Sequence, residues 1–214
     1  MPFYIKSLFI CFVASLVGVL FLKENRKFPL VLFPGFLLIT FIGEYYGIES
    51  SARNQNNTLF YNLFTWFEFV FYLFFFWSIS RSGKIKRLNF FIMLFYLVIT
   101  LLNIFFYQGI EQFHSYTYVL GCILVVVNAI LYFYFLFRLP ESVSLVRNPF
   151  FWIATGLMFY YTCTFSLFGL TNFIITNGYY TTLLTIIGDI LNILLYSLYV
   201  IAFLCRLNLR KLLQ

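Results

Sequence analysis

The sequence predicts an all-α protein: a polytopic membrane helical bundle of seven transmembrane helices forming a single domain over residues 1–214, with the N-terminus outside and the C-terminus cytoplasmic. Three observations carry this. The chain is 63% hydrophobic, 24% aromatic and 10% charged, where a soluble domain is roughly 25% charged. Its apolar runs have the ~20-residue length that a helix needs to cross hydrocarbon, and seven of them leave no room for a soluble domain. Twelve of its 14 basic residues fall in alternate connections, the pattern that fixes orientation.

Helix 1, about 3–22, is an apolar run closed by Lys23. It lacks an Ala-x-Ala-like cleavage site and is expected to be retained. Ser7, Cys11, Ala14 and Gly18 form a small-residue stripe suited to close helix packing. Helix 2, about 28–47, has Pro29 in its first turn, while Pro34-Gly35 is expected to kink or unwind it internally; Thr40 and Glu44 share a face. Helix 3, about 59–80, is apolar on every side from Phe69 to Trp77, which excludes an alternating membrane strand. Tyr61, Thr65, Glu68 and Tyr72 line one helical face. Helix 4, about 88–107, follows the basic run Arg81, Lys84, Lys86, Arg87 and carries Asn103 near its far end. Helix 5, about 116–137, presents Thr117, Gly121, Asn128 and Tyr132. Helix 6, about 149–169, opens with Pro149 and presents Thr155, Thr162 and Ser166. Helix 7, about 180–205, aligns Thr185, Asp189, Asn192, Tyr196 and Tyr199.

Connections 1, 3 and 5 and the tail hold Lys23, Arg26, Lys27, Arg81, Lys84, Lys86, Arg87, Arg138, Arg147, Arg206, Arg210 and Lys211; the opposite connections hold only Arg53. This places the basic side in the cytoplasm. It also accounts for the net charge of +7 without a nucleic-acid partner. Arg81, Lys84, Lys86 and Arg87 could additionally contact anionic lipid head groups or a protein partner. Helices 1–3 and 5–7 could form parallel repeats, but two echoes, Pro29 with Pro149 and Glu68 with Asp189, do not establish one.

Acidic groups cost ~2.5–3.5 kcal/mol each in a spanning helix, so Glu44, Glu68 and Asp189 are the most informative residues. Glu68 and Asp189 are each nine residues in from the outer ends of their helices, ~13 Å deep. No Lys or Arg stands at that depth, so each is expected to hold a proton, share one or bind a cation. With Tyr61, Thr65, Asn128, Asn192, Tyr196 and Glu44 they are expected to form an outward-facing polar pocket that binds an ion or small ligand. Stripes of Thr, Asn and Tyr also serve simply as interhelical hydrogen bonds, worth ~0.6 kcal/mol on average.

Several chemistries have no basis. The last helix has no Schiff-base Lys before its cytoplasmic end, the single His114 cannot provide paired haem ligands, and Ile186-Ile187-Gly188-Asp189 lacks the first Gly of a Gly-x-Gly-Asp protease motif. Cys11, Cys122, Cys163 and Cys205 lie on four different helices and read as packing residues. No zinc motif, phosphate-binding glycine loop or cofactor signature is present, so no metal or cofactor is expected. The sequon Asn56-Asn57-Thr58 would matter only in a eukaryotic secretory pathway.

Gly43-Glu-Tyr-Tyr-Gly47, Asn57-Thr-Leu-Phe-Tyr-Asn62 leading to Glu68, and Asn148-Pro-Phe-Phe-Trp152 through Gly156 and Tyr160-Tyr161 resemble a group of short seven-helix proteins of Bacteroidota. The resemblance covers helices 2, 3 and 6. It implies a signalling accessory, because genes of that group lie near two-component and other regulatory genes; no activity is attached to the group. The expectation is therefore a bacterial inner-membrane sensor acting through a cytoplasmic or membrane signalling protein. A small proton- or cation-coupled transporter and a membrane-embedded lipid enzyme with Glu68 and Asp189 as paired carboxylates are the alternatives.

Overall fold

The computed structural model describes residues 2–53, 55–109, 112–138, 144–176 and 181–206. Arg210 and Lys211 of the basic tail lie outside the described residues. Seven helices follow in chain order: α1 (Phe3–Phe21), α2 (Phe33–Ala52), α3 (Thr58–Ile79), α4 (Gly83–Phe106), α5 (Ser115–Leu136), α6 (Pro149–Thr176) and α7 (Thr181–Leu204). Each contains a stretch long and apolar enough to cross a bilayer; the protein is a multi-pass membrane helical bundle.

Four helix ends differ from the sequence reading by five or more residues: α2 is shifted along the chain at both ends, α4 starts earlier, and α6 runs on past residue 169 to Thr176. The segment from Lys23 to Leu32 forms two 3-10 turns, and α2 starts only at Phe33. Pro34 is consequently in the first turn, where its missing amide removes no intrahelical bond. The kink expected at Pro34-Gly35 is absent, because the pair opens the helix instead of interrupting it. In contrast, α4 begins five residues early, so Lys84, Lys86 and Arg87 belong to its first turns. Their long side chains let the helix start among charges while the ammonium and guanidinium groups stay at the surface.

α3 is the hub. Phe69 contacts Tyr96 of α4, Tyr118 of α5 and Tyr161 of α6, while Phe71 stacks on Phe36 of α2 with centroids 3.9 Å apart and planes 3° from parallel. Phe33 packs edge-on against Phe71 and Phe75 of α3 and Tyr199 of α7. Such pairs add ~0.5–1.5 kcal/mol each beyond their buried area, and they replace the small-residue seams found elsewhere. Bulky rings hold the α2 and α3 backbones apart, whereas α6–α7, α1–α7 and α5–α6 are closely packed. The packing of α1–α3 is thus not repeated in α5–α7.

Where backbones meet closely, glycine is required. A Cβ on Gly18 of α1 would stand 2.9 Å from the Phe203 carbonyl oxygen of α7, and one on Gly121 would stand 2.6 Å from the Phe69 ring. The buried stripe of α1 is Ile5, Leu8, Cys11, Ser15 and Gly18. Cys11 and Gly18 fall in it as expected; Ser7 and Ala14 sit at its edge. The opposite faces are ringed by exposed apolar side chains, from Leu88 through Phe91, Phe95 and Leu102 to Phe106 on α4. Such a surface suits lipid and not water.

The connections carrying the basic residues gather at one end of the bundle. Asn25 is fully buried there and donates to the Phe203 carbonyl (2.8 Å) and the Gly18 carbonyl (3.4 Å), tying the first connection to α1 and α7. Arg206 Nε donates to the Arg147 carbonyl at 3.0 Å. At the opposite end Asn62 receives the His114 amide (2.9 Å) and donates to the Gln112 carbonyl (2.9 Å), while Arg53 pairs with Glu49.

Candidate functional site

Glu44, Asp189 and Glu68 stand eight, eight and ten residues from the ends of α2, α7 and α3 that lie away from the basic residues, so they share one depth to within ~3 Å and differ in lateral position. Near the end away from the basic residues, the Tyr4 hydroxyl of α1 donates to Glu44 Oε2 of α2 at 3.0 Å. Tyr61 of α3 and Asp189 of α7 lie within electrostatic reach of Tyr4. Tyr61 is fitted so closely over Gly47 that a Cβ there would collide with its hydroxyl. Asp189 is half-buried.

Glu68 lies ten residues after the start of α3 and eleven before its end, close to the middle of that helix. Tyr72 Oη donates to Glu68 Oε1 at 3.3 Å. The Tyr161 hydroxyl of α6 is directed at the same carboxyl, and the Tyr199 hydroxyl of α7 at Tyr72. Neither reaches full hydrogen-bond geometry, and both oxygens are buried without a partner. Tyr196 is also buried. Unpartnered hydroxyls in a core cost ~1–3 kcal/mol each, so a shift that gave either hydroxyl a partner would relieve that cost.

The sequence pairs Glu68 with Asp189 by depth. Among the described residues no hydrogen bond joins them, and the acid within electrostatic reach of Glu68 is Glu44. Depth along a helix is one coordinate; lateral position depends on which helices are neighbours, and Asp189 goes with Tyr4. Asn192 uses its amide on its own helix, donating to the Gly188 carbonyl at 3.0 Å. Thr65 lines a small polar hollow with Asn62, Thr100, His114 and Thr117.

Asn128 stands apart from the acids. It is 13 residues into α5, and its side chain forms part of the wall of a cavity of about 400 Å³ at the basic end, between α3, α4, α5 and the start of α6. Glu44, Glu68 and Asp189 line none of the three cavities at this end, at the Thr65 hollow and at the Gly43 groove. The sequence's polar stripes thus separate into a packed carboxyl–tyrosine cluster and an open basic cavity. Asn25, Asn62 and Asn89, none of them among the site residues expected from the sequence, are buried; Asn25 lies in the first connection, and Asn62 and Asn89 lie in the first two turns of α3 and α4. Of the four basic candidates, Arg81 lines the cavity, Lys86 Nζ sits 4.7 Å from the Trp77 ring centroid, and Lys84 and Arg87 are exposed.

No group of three or more His, Cys, Asp and Glu that could hold a metal occurs among the described residues. These features define the class as a seven-helix membrane bundle with a buried carboxyl–tyrosine cluster at mid-depth. Compared with known proteins, the chain matches no family model, no curated protein and no solved structure.

Proposed function

We propose that the protein is a membrane sensor or signalling accessory of the bacterial inner membrane, with its basic end in the cytoplasm, that responds at its acidic half and acts through a partner at its basic end. The observation that carries this reading is the Glu68 cluster. One carboxyl with no cationic partner among the described residues is surrounded by tyrosines from α3, α6 and α7, with two buried hydroxyls still lacking partners. A group at that position couples three helices to a single local change, a proton or a bound ligand. Toward the basic end Phe33, Phe36, Phe71 and Phe75 pack ring against ring between α2 and α3, and none of the three cavities is lined by Glu68, so helix movement, and not passage of a solute, is the proposed output. The connections between helices are short, and the proposed route for the signal is a second protein at the basic end.

The test compares amide hydrogen exchange in wild type and Glu68→Gln, both in lipid nanodiscs. The expected result is altered protection over residues 79–88 and 144–150, at the far end of α3 and α6, with unchanged membrane insertion. Unchanged exchange there would remove the coupling on which the reading depends.

The transporter reading is favoured by a different observation: the cavity at the basic end reaches inward to Asn128, giving a polar approach from that side. It predicts that Glu68→Gln abolishes proton-coupled flux in proteoliposomes.

A further inference from the structure

The cavity at the basic end is amphipathic in a way that the Glu68 cluster does not require. Its inner wall is Phe76, Ile79, Ile85, Leu131, Leu136 and Phe150, and its mouth carries Lys27, Arg81 and Arg138. Among the described residues no carboxylate lies within ion-pair distance of these three cations. Arg138 is braced, its guanidinium 4.1 Å from the Tyr134 ring centroid, an arrangement that keeps the charge but leaves its edge donors available.

A second observation is independent of charge. Asn89 and Asn128 both line the cavity and are 3% and 1% exposed. Each amide is half-satisfied. Asn89 Nδ2 donates to the Ser80 hydroxyl at 2.8 Å, and Asn128 Nδ2 donates to the Leu124 carbonyl at 2.8 Å. The side-chain oxygen of each is buried without any partner. Buried acceptors of this kind cost ~1–3 kcal/mol when left unpaired, and native structures seldom retain them without a ligand or water. The terminal torsion of Asn is broad, so both oxygens can turn toward a donor in the cavity.

We propose that this cavity is a binding site for one anionic phospholipid whose head group carries hydroxyls, of the phosphatidylglycerol type. Each part of such a molecule meets its complement. The phosphate lies among Lys27, Arg81 and Arg138, the hydroxyls donate to Asn89 and Asn128, and the upper acyl chain covers the Phe and Leu wall. A zwitterionic choline head brings no hydroxyl donor and places a cation among three cations. The site is separate from the surface charges Lys84 and Arg87, which attract anionic lipid only diffusely.

Native mass spectrometry of the full chain, released from detergent and titrated with phosphatidylglycerol, phosphatidylcholine or soluble glycerol phosphate, tests this. The expected result is a single retained phosphatidylglycerol, bound at least ~10-fold more tightly than phosphatidylcholine. Arg81→Gln with Arg138→Gln should weaken it ~10-fold or more, since each basic group near a phosphate contributes severalfold. Ile85→Trp, which narrows the cavity without changing charge, should also weaken retention. Lys84→Gln with Arg87→Gln should change it less than ~2-fold. Equal loss in the Lys84/Arg87 pair would mean diffuse surface attraction and overturn the proposal. So would undiminished retention in Ile85→Trp, or equal binding of glycerol phosphate, which would make the ligand a soluble phosphate. All the substituted basic residues are surface-accessible, so these variants are expected to fold even if Ile85→Trp does not.

Discussion

Gly121 allows the packing rule to be tested quantitatively. A Cβ added there would lie 2.6–2.7 Å from three carbons of the Phe69 ring, about 1 Å inside the normal carbon–carbon contact of ~3.5–4.0 Å. Phe69 has no room to retreat. It is fully buried and bounded by Tyr96, Tyr118 and Tyr161 at centroid distances of 5.7, 5.6 and 5.3 Å. Gly121→Ala should therefore cost ~1–3 kcal/mol, the usual cost of overpacking, lowering the unfolding midpoint by about 2–4 °C per kcal/mol for a chain of this size. Gly35→Ala and Gly188→Ala serve as controls. Nothing lies within 4 Å of a Cβ at either position, so the midpoint should hold or rise with the better helix propensity of Ala. Adding Phe69→Leu to Gly121→Ala should recover part of the loss relative to the sum of the single changes, a coupling readable from the four-variant cycle. The assay is thermal unfolding in detergent, followed by intrinsic fluorescence of Trp66, Trp77 and Trp152. A midpoint for Gly121→Ala equal to those of Gly35→Ala and Gly188→Ala, or strictly additive double-variant behaviour, would refute the assignment of α3 as the packed hub.

Two further outcomes are expected. Asn25→Ala should destabilise by ~1–3 kcal/mol in the same unfolding assay, because it removes donors to the Phe203 and Gly18 carbonyls; a neutral result would show that the first connection is not tied to α7. A reporter fused after Gln214 should be active on the cytoplasmic side, as the basic connections require, and periplasmic activity would reverse the orientation.

The spans were legible because length and apolarity are local properties: helices 1, 3 and 5 fall within a residue or two of the expected ends. The beginnings of helices 2 and 4 were not, since Lys84 and Arg87 look like loop residues although long side chains let them occupy a helix's first turns, and Pro34 opens a helix as readily as it breaks one. Depth was equally readable for Glu68, whereas its partner was not. Whether Glu68 meets Asp189 or Tyr72, Tyr161 and Glu44 depends on how each helix is rotated and which helix stands beside it, and no spacing within one helix records that. The basic cavity was hidden for the same reason. Asn89 and Asn128 lie on different helices, and only their convergence with Arg81 and Arg138 gives them a shared environment.

The seam between α1 and α7 has a consequence for how the protein is made. Asn25 finds its acceptor on Phe203, 178 positions later in the chain. At ~5–20 residues per second of synthesis, roughly 10–35 s pass between the emergence of the two. Throughout that interval the α1 face of Ser15 and Gly18 and the Asn25 amide can rest only on lipid, on earlier helices or on the insertion machinery. The bundle's ring closes last at the point where its sequence began, which makes a stalled or truncated chain an open, adhesive intermediate and leaves co-translational quality control a defined surface to recognise.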